Sequence, residues 1–267
     1  MPEAFAANVR VHLKFFRRNR LILAVAVVFA VYLGFSLVIA GLWDTSGNRF
    51  STLSELAEML DDLTRFLTPV LGLILVFTHL RQKTLKVVVT KPCPPEAWLA
   101  SGLGVAAAIS VAAHALVVVL TVVLSLAWKI PYQWGFLYTG LDSAVSSVVS
   151  LFYLALLTML FHPVLALVLV SIFNESSLYS LGYALDVAVR AHPKNVLYAA
   201  LDKLVAGVFY VIPMLHPFQA ETPGVASSLR TTGVDWLWLL ARGGYALLAA
   251  ACLFTLTAIA LRRKSLA

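Results

Sequence analysis

The chain has 267 residues, of which 61% are hydrophobic and 12% charged, and its formal net charge is +7. A soluble fold of this length needs more charge on its surface, so a mean hydropathy of +0.89 excludes an ordinary water-soluble globule and points to a polytopic all-α membrane protein. The basic residues lie in short loops beside apolar segments, which is a topology signal and excludes a nucleic-acid partner.

In residues 1–20, Phe5, Val9, Leu13 and Phe16 share one helical face while Arg10, Lys14 and Arg17 follow on another. This pattern predicts a helix lying in the membrane interface, its basic face toward anionic headgroups. Residues 21–42 carry no charge and suffice to cross a hydrocarbon core of about 30 Å. The run is longer than a signal-peptide core, so it reads as a first permanent span. Residues 44–65 are polar and acidic, yet Leu53, Leu56, Ala57, Leu60 and Leu63 recur at helical spacing and Thr52 with Glu55 fits a capping box. They are expected to form an external amphipathic helix. The second span, 66–80, contains Thr68, Pro69, Gly72 and Thr78, and so should face protein and not lipid.

Residues 81–102 form a basic loop with Arg81, Lys83, Lys86 and Lys91, placed in the cytoplasm by the bias of Lys and Arg toward that side. Pro92, Pro94 and Pro95 restrict the chain there, and Glu96, Ala97, Trp98 and Leu99 can begin a helix directly after Pro95. The third span, 103–128, carries His114 near its middle, read as a neutral side chain bonded to a neighbouring helix. Trp128, Tyr132, Trp134 and Tyr138 mark the outer interface. The fourth span, 143–173, opens with Ser143, Ala144, Ser146 and Ser147, which permit close helix approach, and is bent at Pro163.

Residues 174–203 are too charged to cross and predict a second cytoplasmic segment. The fifth span, 204–217, leads into an external segment, 216–235. The sixth, 236–261, carries Arg242, able to snorkel outward or pair with Asp235. This six-span topology places both termini in the cytoplasm. It gives the cytoplasmic parts 15 of the 20 Lys and Arg but 5 of the 13 acids. Cys93 and Cys252 fall in different environments and are expected to be free thiols.

No Gly-x-x-x-x-Gly-Lys-Ser/Thr, His-Glu-x-x-His, Gly-x-Ser-x-Gly or Cys-x-x-Cys pattern occurs. Neither a catalytic site, a metal site nor a cofactor is therefore expected in this chain. Any ATP-derived energy must come from another subunit.

The loop around Thr84, Leu85, Val88, Val89 and Pro92 resembles the permease subunits of the type-2 ABC exporter family. There the loop after the second span reads roughly Glu-Arg-x-x-Gly-Thr-Leu-x-x-Leu-Leu-x-x-Pro. Here His79 or Leu80 stands where the family has its acid, and Lys83 replaces the glycine. The resemblance implies an N-terminal elbow helix, and a coupling helix at Pro92, Pro94, Pro95, Glu96, Trp98 and Leu99 resting on an ATPase subunit. It further implies two such ATPases using ATP and magnesium, a second permease chain, identical or homologous, and a bacterial-type cytoplasmic (inner) membrane.

In that family the second and fifth spans face the central pathway. Carried over, Thr68, Leu71, Leu75 and Thr78, with Val208, Phe209, Ile212 and Met214, are the pathway candidates. Their apolar character suits an amphipathic or hydrophobic substrate: a lipid, a drug-like metabolite or a peptide. The competing readings are a secondary transporter, disfavoured because no acid lies deep in a confident span, and a non-transporting membrane scaffold.

Overall fold

The computed structural model describes residues 2–18, 20–43, 49–74, 94–130, 135–172, 175–211 and 236–266. All regular structure among them is helical: α1 (Pro2–Arg18), α2 (Leu21–Trp43), α3 (Arg49–Gly72), α4 (Pro95–Trp128), α5 (Gly135–Leu160), α6 (Pro163–Ile172), α7 (Glu175–Ala191), α8 (Val196–Val211) and α9 (Trp236–Leu266). Among the described residues, three helices are long and apolar enough to cross a membrane: Glu96–Trp128, Gly135–Leu160 and Leu239–Arg263. The protein is membrane-embedded.

Helix α5 is the axis of the bundle. Of its most apolar stretch, 56% is buried inside the protein, against 22% for α4 and 28% for α9. The main core joins Leu151, Leu154 and Met159 of α5 to Leu99 and Leu103 of α4, with Leu71 of α3, Ala166 of α6 and Leu261 of α9 around them. Exposed Val119, Val123, Leu126, Leu247 and Leu248 give α4 and α9 their outward apolar faces, as a lipid solvent requires. Helices α7 and α8 turn back on one another through His192–Asn195, where the Asn195 carboxamide accepts the Leu197 N–H at 3.0 Å.

Several boundaries differ from the sequence expectations, for physical reasons. The acidic stretch and the start of the second span form one continuous helix, α3. Leu56 and Leu60 pack with Val117 of α4 and with Phe29, Tyr32 and Leu37 of α2, so this face is drawn into the bundle and does not form a lid outside it. Helix α4 begins at Pro95, whose fixed φ and missing N–H suit a first helical position, and runs unbroken to Trp128. It stops at Lys129, whose left-handed φ of 58° turns the chain. The expected 143–173 span begins earlier, at Gly135, and breaks at Phe161–His162 ahead of Pro163.

Candidate functional site: a buried polar belt across four helices

Near the midpoints of α3, α4 and α5, polar side chains meet inside the apolar bundle. The sequence explains how they face one another. On α5, Asp142, Ser143, Ser146 and Ser147 stand at i, i+1, i+4 and i+5, a polar stripe on an otherwise apolar helix. On α3, Asp61, Thr64 and Thr68 continue the face that buries Leu53, Leu56 and Leu60. Facing α5, α4 contributes His114, and α9 contributes Arg242.

The first half of the belt centres on Asp61, which is 4% exposed. Its Oδ1 lies 2.9 Å from His114 Nδ1, while Oδ2 accepts from the Ser143 hydroxyl and from Arg65 Nε at 3.2 Å. Arg65 Nε also donates to Ser143 Oγ at 3.0 Å. On the other side of the imidazole, Nε2 lies 2.8 Å from Ser147 Oγ. Because the Asp61 carboxylate only accepts, Nδ1 carries the hydrogen and Nε2 accepts from Ser147. The second half is an ion pair, Arg242 Nε to Asp142 Oδ1 at 2.6 Å, with Arg242 Nη2 donating to Ser146 Oγ at 3.2 Å. Ionisable groups buried in this way inside an apolar bundle are costly, which makes the belt the candidate functional site.

A crevice about 20 Å³ in volume, enough for roughly one water molecule, reaches Asp61 between α3, α4 and α5. Glu58, Thr121 and Thr139 supply polar groups and Phe136 an apolar wall. At its wall Gly140 lies directly against Val118, where a Cβ would collide, so α4 and α5 approach closely there.

The order Asp61, His114, Ser147 matches that of a hydrolase triad, but acyl transfer also needs donors for an oxyanion. Ser147 is mid-helix and 2% exposed, among backbone N–H groups committed to helical bonds. What this arrangement does is tie α3, α4 and α5 together through one chain of hydrogen bonds. Among the described residues, no cluster of His, Cys, Asp or Glu is arranged to hold a metal.

The residues singled out from sequence fall in different places. Arg10, Lys14 and Arg17 are exposed on α1, whose buried side is His12 and Phe16; Phe5 and Leu13 stand outward. Pro94 is exposed and Pro95 opens α4. Trp98 packs against His12 with ring centroids 5.1 Å apart and the rings tilted by 51°, Leu99 is fully buried, and Glu96 accepts from Arg262 Nε. Thr68 shares a hydrogen bond with Ser110 at 2.8 Å and Leu71 lies in the main core; both are packed between helices and neither lines the crevice. Pro92, Leu75, Thr78, Ile212, Met214 and Cys93 lie outside the described residues. Val208 and Phe209 lie on α8. Arg242, expected to snorkel or meet Asp235, turns inward to Asp142 because α5 begins early enough to bring that acid into the bundle.

At 34 residues α4 is about 50 Å long by helical rise, so its first turn projects beyond a core of about 30 Å. The hydrogen bond from Arg262 there holds the Glu96 carboxyl below its usual range. A depressed carboxylate contributes stability above its unfolded value near 4.5, and loses it as pH falls through the lower folded value. Arg262 is 69% exposed, so screening limits the pair to about 0–1 kcal/mol. Glu96→Gln should therefore shift the thermal midpoint only slightly at pH 7, and not at all once the pH is below the carboxyl's depressed folded value. A loss above 2 kcal/mol at pH 7 would contradict this account.

No family model matches the chain, and no curated protein is detectably similar to it in sequence.

Proposed function

We propose that the chain is the transmembrane permease subunit of an ATP-driven exporter of the type-2 ABC kind. It crosses the cytoplasmic (inner) membrane six times, pairs with a second permease chain, and is driven by two separate ATPase subunits that bind ATP and magnesium. Its substrate is amphipathic or hydrophobic.

One observation carries this reading beyond the loop resemblance: α1, the start of α4 and the end of α9 converge at one end of the bundle. The His12 ring packs against Trp98, while Phe16, Leu99, Leu103 and Leu261 share a core, and Glu96 binds Arg262. That is the end at which a partner would meet the basic loop. A push there moves three helices together, as ATP-driven tilting of a half-transporter requires. The substrate would need different affinities in the two tilted states for coupling to occur.

The test is purification of the tagged chain from its native cells in mild detergent, beside Glu96→Arg and Trp98→Ala. An ATPase recovered with the unmodified chain and depleted from the variants is the expected result. A chain that purifies without any nucleotide-binding partner would sink the proposal. That outcome would favour a second reading, ion-driven secondary transport, for which the buried Asp61–His114 pair is the specific support.

A further inference from the structure

His114 is placed so that one added proton changes which group answers the charge of Asp61. The ring is 1% exposed and held at both nitrogens, by Asp61 on α3 and Ser147 on α5. While it is neutral, Arg65 is the cation set against Asp61. The other charged groups around it among the described residues are few. On α3, Glu58 lies at the crevice and Asp62 faces outward; on α5, Asp142 is engaged with Arg242 of α9; around His114, α4 itself contributes Ser110 and Thr121.

We propose that His114 is a reversible proton-binding site whose imidazolium replaces Arg65 as the counter-charge of Asp61. One proton, taken from water, adds to the Nε2 lone pair, and the ring then donates from both nitrogens. The Ser147 hydroxyl turns to accept from Nε2 and gives its own hydrogen to the Ser143 carbonyl one turn back. The hydroxyls of Thr64, Thr68 and Ser150 already bond in this way on these helices.

Arg65 then becomes a second cation on one carboxylate. Its side chain is 27% exposed, so it is the partner able to turn outward along the helix surface. Its bonds to Asp61 and Ser143 help tie α3 to α5, so acidification loosens that junction at half-height. The crevice brings a water-sized approach to Asp61. The site operates whether ATP or an ion gradient drives the chain.

The experiment is nitrogen NMR of the full-length chain, labelled with ¹⁵N-histidine and ¹³C-aspartate, in lipid bilayers, titrated from about pH 8 to about pH 5, the range over which imidazoles change charge. The His114 resonance is assigned by transfer to the Asp61 carboxyl carbon, so the wild-type titration stands without any variant. The expected result is a ring with one unprotonated nitrogen at high pH that becomes imidazolium on acidification. Arg65→Gln should load at roughly tenfold lower proton concentration, and Asp61→Asn should need roughly tenfold more. The proposal is overturned if His114 keeps its unprotonated nitrogen at the acid end while the exposed His162 and His192 titrate. It is equally overturned if it loads but both variants leave the loading unchanged, since a structural role alone would not give opposite shifts.

Discussion

Arg242→Ala is expected to destabilise the chain by about 3–5 kcal/mol, because it leaves Asp142 buried without its cation. Arg242 is 3% exposed and Asp142 7%, so neither can exchange its partner for water in place. The pair as such is a different matter. Separating two charges from water offsets most of their attraction, so the double replacement Asp142→Leu with Arg242→Leu should recover most of the loss. Both chains can be unfolded in detergent and compared through their denaturation midpoints. If the double variant is as damaged as the single one, the ion pair, and not the orphaned charge, carries the stability.

Asp61→Ala should be comparably severe, about 3–5 kcal/mol, by another route. Here one acceptor serves three donors: the His114 ring N–H, the Ser143 hydroxyl and Arg65 Nε. Deleting it strands an imidazole N–H in the core, whereas Arg65, being part-exposed, can turn away. Asp61→Asn keeps the shape and one carbonyl acceptor and should lose only about 1–3 kcal/mol. Equal losses for the two variants, measured by the same midpoints, would mean that Asp61 matters for packing volume and not as an acceptor.

Much of the fold could be read from the chain, and the reasons for the exceptions are specific. Uninterrupted apolar runs identify α4 and α9 directly, because a lipid-facing helix has no alternative composition. The proline-led start of α4 was equally plain, since Pro95 can occupy only a first-turn position there. The belt was not legible as such. Asp61 and Arg65 stand four apart on an amphipathic stretch, which looks the same whether the polar side meets water or another helix's serines. Asp142 falls just before the expected 143–173 span and beside Trp134 and Tyr138, which mark an interface in the sequence. The signal that would have found the site is on α5, where four polar residues at i, i+1, i+4 and i+5 interrupt an apolar helix and demand partners. His114 was read as a residue bonded to a neighbour, but its neighbours' identities depend on register between helices, which one sequence does not specify.

The partners Asp142 and Arg242 are 100 residues apart in the chain. At ribosomal speeds of about 5–20 residues per second, roughly 5–20 s separate the appearance of the acid from that of its base. For most of that interval, from Leu160 to Trp236, α5 is complete and α9 has not begun. The newborn chain must therefore hold an unanswered carboxyl in or beside the bilayer, neutralised by a proton or sheltered by membrane-insertion machinery. A chain halted before Trp236 is the species in which that wait never ends.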